Sequence, residues 1–289
     1  MSLPRHIQQP GPVAETRLFA VEARGRSFSF TLEPGLLLVE AVRRGFAAHG
    51  FVTGTVEFTD TALSPFTYVT PALSKTGENA AFYSDFYRPR GISRIQTGAM
   101  TFGLRDGLPF YHCHALWTEP DGSVMGGHII PEETVVAEAA TVTALGIDGA
   151  LFEGNPDPEI NFKVFGPVPA AATGADAPLR VVAMRLKPNQ DFCGALEAWC
   201  AAHTIARARI RGGVGSTIGV RFADGREVSN FATEVYIHHG YIGRGLDGRP
   251  EAFIDVGVVD YTGAVAKGVL TRGDNPVLMT FELALEVLA

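Results

Sequence analysis

The chain has 289 residues, 46% of them hydrophobic and 19% charged, with a formal net charge of −7. This composition excludes a largely disordered chain, and the acidic balance argues against nucleic acid as a partner, because proteins that hold phosphates usually carry a basic surface. No apolar run approaches the roughly 18 residues of a membrane span, and an odd set of three cysteines is typical of a reducing cytoplasm. We therefore expect a globular cytoplasmic protein without a membrane segment.

The first elements of the chain follow from its local patterns. Residues 1–16 lack an apolar stretch, and we expect a flexible leader there. The next segment, FSFTL, is strand-like. Leu38, Val42 and Phe46 then recur at the spacing of one helix face, and Gly50 follows as a stop signal. The pattern predicts an amphipathic helix.

The second half of the chain repeats two stretches of the first. At an offset of 154 residues, six of 18 positions are identical, and a second stretch matches without gaps at an offset of 141 residues. The first set pairs Leu32, Pro34, Ala41, Ala47, Ala48 and His49 with Leu186, Pro188, Ala195, Ala201, Ala202 and His203. The second set pairs Asp106, Gly107, Pro109, Gly122, Val124 and Gly127 with Asp247, Gly248, Pro250, Gly263, Val265 and Gly268. The change of offset indicates 13 additional residues in the first half, which we expect within 68–89.

The stretch between the repeats, 166–178, is rich in proline, alanine and glycine and is typical of a linker. We therefore predict two copies of one domain, 17–165 and 179–289. The predicted fold class is α+β, with a largely antiparallel sheet packed with helices. Cys193 and Cys200 fall on the apolar stripe of the second helix, so we interpret them as core residues.

Three of the eight histidines lie in one segment, FYHCHALWTEPDGSVMGGH. His112 and His114 are two residues apart, so in a strand they project from the same face and Cys113 from the other. The stretch 119–122, EPDG, is typical of a turn. A hairpin around this turn returns His128 to the first two histidines.

The register of this hairpin decides whether the third ring joins the other two. With a turn of residues 119–122, His128 lies opposite Cys113 and faces the wrong way. One extra residue in the second strand places His128 on the same face as His112 and His114. The glycine pair at 126–127 is where a bulge of this kind is tolerated.

Three imidazoles on one face of two adjacent strands form the ligand set of an open zinc-type site, with a further position for water or a ligand. The alternative is a hydrogen-bonded histidine cluster on a solvated hairpin. The second repeat keeps several turn glycines but lacks all three imidazoles of the motif. His112, His114 and His128 correspond there to Phe253, Asp255 and Val269. The fold does not need the histidines, which favours a functional role for them.

These motifs resemble the PPC domain, the plant and prokaryote conserved domain that is also called PCC or domain of unknown function 296. The resemblance rests on HCH at 112–114, DGSV at 121–124, GGH at 126–128, LEPG at 32–35 and EAATVTAL at 138–145. It covers residues 17–150 well and residues 180–289 more loosely.

The resemblance implies a compact domain, commonly trimeric, in which the three motif histidines hold a metal, usually zinc. Carried over residue by residue, the Zn²⁺ ligands are His112, His114 and His128, and the second repeat holds no metal. In plant members the domain follows AT-hooks, which are basic DNA-binding segments centred on RGRP. This chain has RGR at 24–26, followed by Ser27 instead of proline, and we interpret it as a turn between strands.

We favour the hypothesis that the chain is a metal-dependent enzyme or a small-molecule-binding protein. The additional segment of the first half leads into Arg88, Arg90 and Arg94 in an otherwise acidic chain. Arginine recognises carboxylate or phosphate in a two-pronged geometry. We hypothesise a loop that flanks the metal pocket and holds a small organic acid; an ordinary solvated loop is the alternative.

An enzyme of this type also needs a general acid or base. Glu119, Asp121 and Glu138 are nearby in sequence, and the pattern does not choose among them. His49 is a further candidate, but its counterpart His203 persists in the half without the motif, which favours a structural role for both.

Two other functions stay open at this point. By family analogy the chain is a DNA-binding regulator, although its acidic charge makes nucleic acid an unexpected partner. Alternatively, the metal only makes a hairpin rigid in an interaction module. By the same analogy we expect a homo-oligomer, in which two linked copies build a trimer-like arrangement of chains.

Overall fold

The computed structural model describes residues 5–288, which form two helices and seventeen strands. The first half contains β1 (Leu18–Leu32), α1 (Leu38–Ala48), β2 (Gly54–Leu63), β3 (Tyr68–Val69), β4 (Pro71–Leu73), β5 (Ala81–Tyr83), β6 (Ser93–Arg105), β7 (Leu108–Thr118), β8 (Val124–Ile129), β9 (Ala140–Asp148), β10 (Ala150–Asp157) and β11 (Phe162–Pro169). The second half contains β12 (Leu179–Leu186), α2 (Phe192–Ala202), β13 (Ala208–Arg221), β14 (Glu227–Arg244), β15 (Pro250–Asp260), β16 (Val265–Val269) and β17 (Val277–Val287). No helix of this described part is both long and apolar enough to cross a bilayer.

One large sheet runs through both halves, and its strand order is symmetric. From the antiparallel pair of β1 and β12 outward, the first half continues with β9, β2, β6, β7 and β8, and the second with β17, β13, β14, β15 and β16. The predicted repeats therefore occupy equivalent places in the topology. The turns that join β6 to β7 and β14 to β15 contain Gly107 and Gly248, both at positive φ, as the repeated Asp-Gly pairs suggested. The domain limits 17–165 and 179–289 stay predictions.

The two helices are short, and each covers one face of its half of the sheet. The apolar stripe of α1 buries Leu38, Val42 and Phe46 against a cluster that includes Trp117 of β7. In α2 the same stripe buries Cys193 and Cys200 as free core thiols. The predicted antiparallel sheet is confirmed. The helical part of the predicted α+β fold is smaller than expected, because the described residues contain one 11-residue helix per half.

Two segments that the sequence marked as flexible make specific contacts. Residues 1–4 of the predicted leader, 1–16, lie outside the described residues. In the remainder, the side-chain amide of Gln9 donates a hydrogen bond to the carbonyl of Leu278 at 2.7 Å. The predicted linker, 166–178, begins inside β11, and the backbone N–H of Thr173 donates to Asp148 at 2.7 Å. The described part of the leader and the linker are thus each tied to the sheet by a hydrogen bond.

The RGR segment at 24–26 is not a turn, and this corrects the interpretation above. It lies in the middle of β1, where Gly25 pairs with β12 on one side and with β9 on the other. A Cβ on Gly25 would lie 2.6 Å from the side chain of Val181 and 2.9 Å from the carbonyl oxygen of Gly146. Close packing against its neighbours, rather than a change of chain direction, explains this glycine.

The sheet brings its two halves face to face. Ala99 of β6 and Leu116 of β7 form a buried cluster with Val214 of β13 and Tyr236 of β14. The face of the first half that points away from α1 is thus covered by the second half. A residue on this face of β7 meets residues more than 100 positions away in sequence.

The additional residues of the first half lie in the segment 64–92, which contains β3, β4 and β5. The equivalent strands of the second half, β13 and β14, are joined by residues 222–226 alone. Within the segment, β3 pairs with β8 and β4 pairs with β5. The insertion therefore covers the outer edge of β8, the strand that carries His128.

Candidate metal centre

The alternation of β7 separates its histidines from its apolar residues. Tyr111, Cys113 and Trp117 belong to the cluster under α1. His112 and His114 point to the opposite face, toward the second half of the chain. His114 is 4% exposed, because this strand is covered on both faces. The predicted opposition of Cys113 to the two histidines is present in the structure.

His128 joins this face because of the length of the turn. In the β7–β8 hairpin His114 lies directly opposite His128, and Thr118 lies opposite Val124. The turn therefore comprises residues 119–123, one more than predicted, and the backbone N–H of Glu119 donates to the carbonyl of Ser123. The predicted bulge at 126–127 is absent from this pairing. A turn of five residues instead of four places His128 on the same face as His112 and His114, so no bulge is needed.

The two glycines of β8 serve close packing instead. A Cβ on Gly126 would lie 2.4 Å from the Leu116 side chain, and one on Gly127 would lie 2.3 Å from the carbonyl oxygen of Val69. Val69 belongs to β3 and pairs with His128. The missing side chain of Gly127 thus lets the inserted segment approach β8 beside the third histidine.

The three rings converge through one nitrogen each. His112 Nε2 lies 3.0 Å from His114 Nε2, and His128 Nδ1 lies 3.3 Å from His114 Nε2. One ligand atom from each of the three residues lies within 4.8 Å of the other two. The sequence predicted this grouping, and the three residues come together from β7 and β8.

The outer nitrogens of two rings have acceptors from the second half. His112 Nδ1 hydrogen-bonds to a carboxylate oxygen of Glu282 on β17, and His114 Nδ1 lies 3.0 Å from the carbonyl oxygen of Val235 on β14. A carbonyl accepts only, so the proton of His114 resides on Nδ1; a carboxylate favours the same tautomer for His112. Both Nε2 atoms then present lone pairs to the centre.

This donor set fits a metal ion. With the Nε2 atoms of His112 and His114 both acting as acceptors, at most one of the three central nitrogens carries a proton. Even with one proton in the centre, only one of the two Nε2 lone pairs of His112 and His114 receives a hydrogen bond, and at least one lone pair stays without a donor. A cation bound by neutral imidazoles whose other nitrogens are held by acceptors is the usual arrangement of histidine metal sites.

Burial favours the neutral form of His114 and His128. Burial lowers the pKa of His114 well below its usual value, and repulsion from His112 and His128 lowers it further. Burial also lowers the pKa of His128 well below its usual value, and electrostatic repulsion from His112 and Arg105 lowers it further. Metal ligation requires the unprotonated ring, so the site is prepared for a cation rather than for protons.

Two buried carboxyl groups stand beside the rings. Glu282 is fully buried and Glu234 is 5% exposed. Glu234 Oε1 lies 3.8 Å from His114 Nε2, and burial raises the pKa of Glu234 well above its usual value. One oxygen of each carboxyl group has no hydrogen-bond partner among residues 5–288. Buried acceptors without partners are costly, and a cation nearby reduces this cost.

The three histidines open onto a cavity of about 780 Å³. Its wall combines the inserted segment, the β10–β11 hairpin and strands of the second half. Aromatic rings form much of the wall: Phe82, Tyr83, Phe86, Phe110, Phe162 and Phe165. The charged residues that line it are Asp85, Arg88, Arg105, Glu132, Lys163 and Glu234. The cavity is thus lined mainly by apolar and aromatic side chains, with six charged residues among them.

The arginines predicted to hold an organic acid occupy different places. Arg88 lines the cavity, but its guanidinium is paired with Glu133, with an N···O distance of 2.7 Å. Arg94 lies on β6 and pairs with Asp60 and Glu138. Arg90 is exposed and does not line the cavity. The structure brings one of the three to the site, and their role in binding stays a prediction.

The candidate acids and bases of the sequence lie outside the cavity. Glu119 accepts a hydrogen bond from the Tyr68 hydroxyl at 2.6 Å, Asp121 caps its own turn through Ser123, and Glu138 pairs with Arg94. None of these three carboxylates lines the cavity among the residues described.

His49 and His203 have equivalent structural roles. Each is the residue that ends its helix, and each ring lies 2.8–2.9 Å from a helix carbonyl oxygen, that of Gly45 or Trp199. The His49 ring stacks on Phe28. The structural interpretation of this repeated histidine agrees with these contacts.

Three site residues were missed from the sequence: Arg105, Glu234 and Glu282. The two glutamates belong to the second half, where comparison with the first half at an offset of 141 residues showed only that the three motif histidines are missing. In TFELALEV, Glu282 alternates with apolar residues, a pattern typical of a strand with one solvated face. Only the covering of that face by the first half makes the glutamate buried. A weak signal for Arg105 was its position directly before the Asp-Gly turn that both repeats share.

No protein-family model and no curated protein matches the chain. Solved structures do match. A plant- and prokaryote-conserved (PPC) protein from Pyrococcus horikoshii is 19% identical over 52% of this chain and 97% of its own, with a TM-score of 0.41. A metal-containing protein from Archaeoglobus fulgidus is 20% identical over 49% of this chain and 94% of its own, with a TM-score of 0.40.

A third match is a protein from Bacteroides thetaiotaomicron described as a "putative dna binding protein", 11% identical over 50% of this chain and 96% of its own, with a TM-score of 0.36. Each of these structures thus covers about half of the chain with nearly its whole length. They include a PPC protein, which bears the name of the family that the HCH and GGH motifs of this chain resemble.

Proposed function

We propose that the chain is a zinc-binding protein of the PPC type, whose site binds or transforms a small organic molecule. The ligands in this proposal are His112, His114 and His128. The observation that carries it is the convergence of three imidazole nitrogens while two of the rings are held from behind by Glu282 and by a backbone carbonyl.

The spacing of the nitrogens supports zinc. Two nitrogens bound at about 2.0–2.1 Å to one tetrahedral ion are separated by about 3.3 Å. In the cluster, His114 Nε2 lies 3.0 Å from His112 Nε2 and 3.3 Å from His128 Nδ1, and all three pairs lie within 4.8 Å. Three imidazoles suit zinc and other divalent transition metals better than calcium or magnesium, which prefer oxygen ligands.

The cavity supports a small-molecule ligand. Its volume of about 780 Å³ is in the usual range for such sites, and aromatic walls with a few polar groups are their usual lining. Three protein ligands leave room for a fourth, and a bound zinc ion of this kind polarises carbonyl oxygens or lowers the pKa of bound water.

Glu234 supports a chemical role as well as a binding role. Its carboxyl group lines the cavity beside His114, and its Oε2 has no partner among the described residues. A carboxyl group in this position can take up or release a proton at a ligand that lies against the three rings. Glu282 orients His112 and does not line the cavity.

DNA binding is not part of this proposal. The net charge of −7 disfavours a phosphate-binding surface. The RGR segment, which would have to be a free basic arm to act as an AT-hook, is paired in β1 with strands on both sides.

Metal analysis of the purified protein tests the proposal. We expect about one equivalent of zinc per chain after incubation with the metal and gel filtration, and its loss in His112→Ala. The variant His238→Ala serves as the matched control, because that ring is exposed on β14, outside the cluster. A wild-type chain that retains no metal, or a His112→Ala chain that retains as much as the wild type, would overturn the proposal.

A further inference from the structure

Arg105 differs from the other basic residues that line the cavity. Arg88 is paired with Glu133, and Lys163 Nζ lies 2.6 Å from Asp106. Within residues 5–288, no carboxylate lies within 4.0 Å of the Arg105 guanidinium, and this side chain makes no hydrogen bond in that range. A net acidic chain thus leaves one cavity arginine with its donors free.

The side chain of Arg105 is held in place by packing. Its guanidinium carbon lies 4.9 Å from the centre of the Phe110 ring, a cation–π contact. On the other side Gly154 of β10 pairs with Arg105, and a Cβ on Gly154 would lie 3.2 Å from Arg105 Cγ. The Phe110 ring and Gly154 thus pack against the Arg105 side chain. An arginine fixed in this way needs less ordering when it binds an anion.

The position of Arg105 relates it to the metal centre. It lines the same cavity as His112, His114 and His128, and its charge is one of those that act on His128. Between the rings and the guanidinium the wall is largely aromatic, with Phe110 and Phe165 in edge-to-face contact at 5.9 Å. A ligand in this space meets an arginine at one point, the three rings at another and apolar surface between them.

We infer that Arg105 is a binding residue for the carboxylate of a small organic acid with an aromatic or other bulky apolar body. The inference rests on the proposed function, because it assigns the ligand class of the same cavity. A singly charged carboxylate suits the site better than a phosphate, because Arg88 and Lys163 are already paired with carboxylates and Asp85 and Glu132 also line the cavity, so a doubly charged group meets stronger repulsion. The planar guanidinium accommodates a carboxylate through two parallel hydrogen bonds.

Calorimetric titration of the full zinc-loaded chain with three probes tests this inference. The probes are 2-naphthoate, its uncharged analogue 2-naphthamide, and 2-naphthyl phosphate. We expect 2-naphthoate to bind more tightly than the other two. Arg105→Gln should weaken 2-naphthoate binding by about tenfold or more, the value of a lost charge-assisted hydrogen bond, without affecting 2-naphthamide.

Two further variants keep the test specific. Arg105→Lys retains the charge without the fork and should give an intermediate affinity. Arg207→Gln removes the same charge from an exposed residue outside the cavity and should leave the affinity within about twofold of the wild type. Each variant is compared with the wild type in thermal unfolding, so that a loss of folding is recognised.

Several results would overturn the inference: no binding of 2-naphthoate to the wild type, equal binding to wild type and Arg105→Gln, or tighter binding of 2-naphthamide or 2-naphthyl phosphate. The proposed function fails separately, if the chain holds no metal. In that event the same titration of the metal-free chain still decides whether Arg105 binds the carboxylate.

Discussion

His112 is hydrogen-bonded through Nδ1 to Glu282, a buried carboxylate 170 residues further along the chain. The histidine belongs to the half that carries the motif, and the glutamate belongs to the half that lacks it. A carboxylate behind a histidine fixes the orientation and the tautomer of the ring and makes its other nitrogen a stronger donor to a metal. The second half of the chain is therefore a functional part of the candidate site even though it holds none of the three imidazoles.

Glu282→Gln should weaken zinc binding while all three histidines remain. The amide keeps the size of the side chain but removes the charge that supports His112. Loss of such a partner typically lowers metal affinity by about 10–100-fold. Competition with a chromophoric chelator measures the dissociation constant. Glu138→Gln, an exposed glutamate paired with Arg94, is the control and should bind zinc like the wild type. An unchanged affinity in Glu282→Gln would show that this carboxylate does not support the metal.

Local patterns predicted the parts of the fold that depend on neighbours in sequence. The apolar spacing at Leu38, Val42 and Phe46 located α1, and the alternation around Cys113 separated the histidine face of β7 from the core. The offset matches located the equivalent turns at Gly107 and Gly248. Each of these features follows from periodicity or from a backbone conformation that one residue type allows.

The remainder of the site depends on contacts that no local pattern encodes. Glu234 and Glu282 reach the rings only because the two halves pack face to face, and Arg105 lines the cavity while packed against Gly154. The prediction of a bulge at 126–127 was wrong for a related reason. A five-residue turn and a four-residue turn have nearly the same sequence signature, yet they place His128 on opposite faces.

Gly127→Ala should disturb the metal centre without touching a ligand. Its Cβ would lie 2.3 Å from the carbonyl oxygen of Val69, so β3 must move away from β8 where it pairs with His128. We expect a loss of about 1–3 kcal/mol in the free energy of unfolding, as for other overpacked sites, together with weaker zinc binding. Urea unfolding and chelator competition measure the two effects.

Gly122→Ala is the comparison for this variant. Gly122 lies in the turn at φ +87°, with open space around it. Alanine in this conformation costs about 1–2 kcal/mol, but no strand has to move and the zinc affinity should stay at the wild-type value. If Gly122→Ala weakened zinc binding as much as Gly127→Ala, the effect would come from general destabilisation of the hairpin and not from the contact between β3 and β8.

Metal removal should lower the stability of the chain. Zinc that binds the folded state alone stabilises it by about 2.7 kcal/mol when the free metal is 100 times its dissociation constant. We therefore expect the unfolding midpoint of the zinc-saturated protein to fall after treatment with a chelator. In His114→Ala, which lacks the central ring of the cluster, chelation should have no effect. A chelator effect of equal size in this variant would indicate that the metal binds elsewhere.

A buried ion cluster anchors the β10–β11 hairpin that forms one wall of the cavity. Asp157 at the end of β10 accepts hydrogen bonds from Arg185 and Lys187 of the second half, and Lys187 Nζ lies 3.1 Å from Glu159. Asp157 and Lys187 are less than 5% exposed. Asp157→Asn leaves two buried cations short of a partner, so we expect a loss of about 3–5 kcal/mol at pH 7.

This loss should depend on pH in a definite direction. Burial opposes ionisation of Asp157, but the hydrogen bonds and charges of Lys187 and Arg185 outweigh it and lower the pKa below the usual 3.8. A carboxylate with a lowered pKa stabilises the fold above 3.8, and its contribution disappears as the pH falls through the lowered value. The difference between wild type and Asp157→Asn should therefore be the same at pH 7 and pH 5 and shrink below about pH 3.8. Urea unfolding at these pH values measures it.

Asp106→Asn is the matched control for Asp157→Asn, because Asp106 also pairs with a lysine of this hairpin, Lys163, but is solvent-exposed. Water screens an exposed pair, so this variant should unfold like the wild type at every pH. Equal stability of Asp157→Asn and Asp106→Asn at pH 7 would contradict the anchoring role of the buried cluster. A loss confined to Asp157→Asn, with zinc still bound, would show that the cluster holds the cavity wall independently of the metal centre.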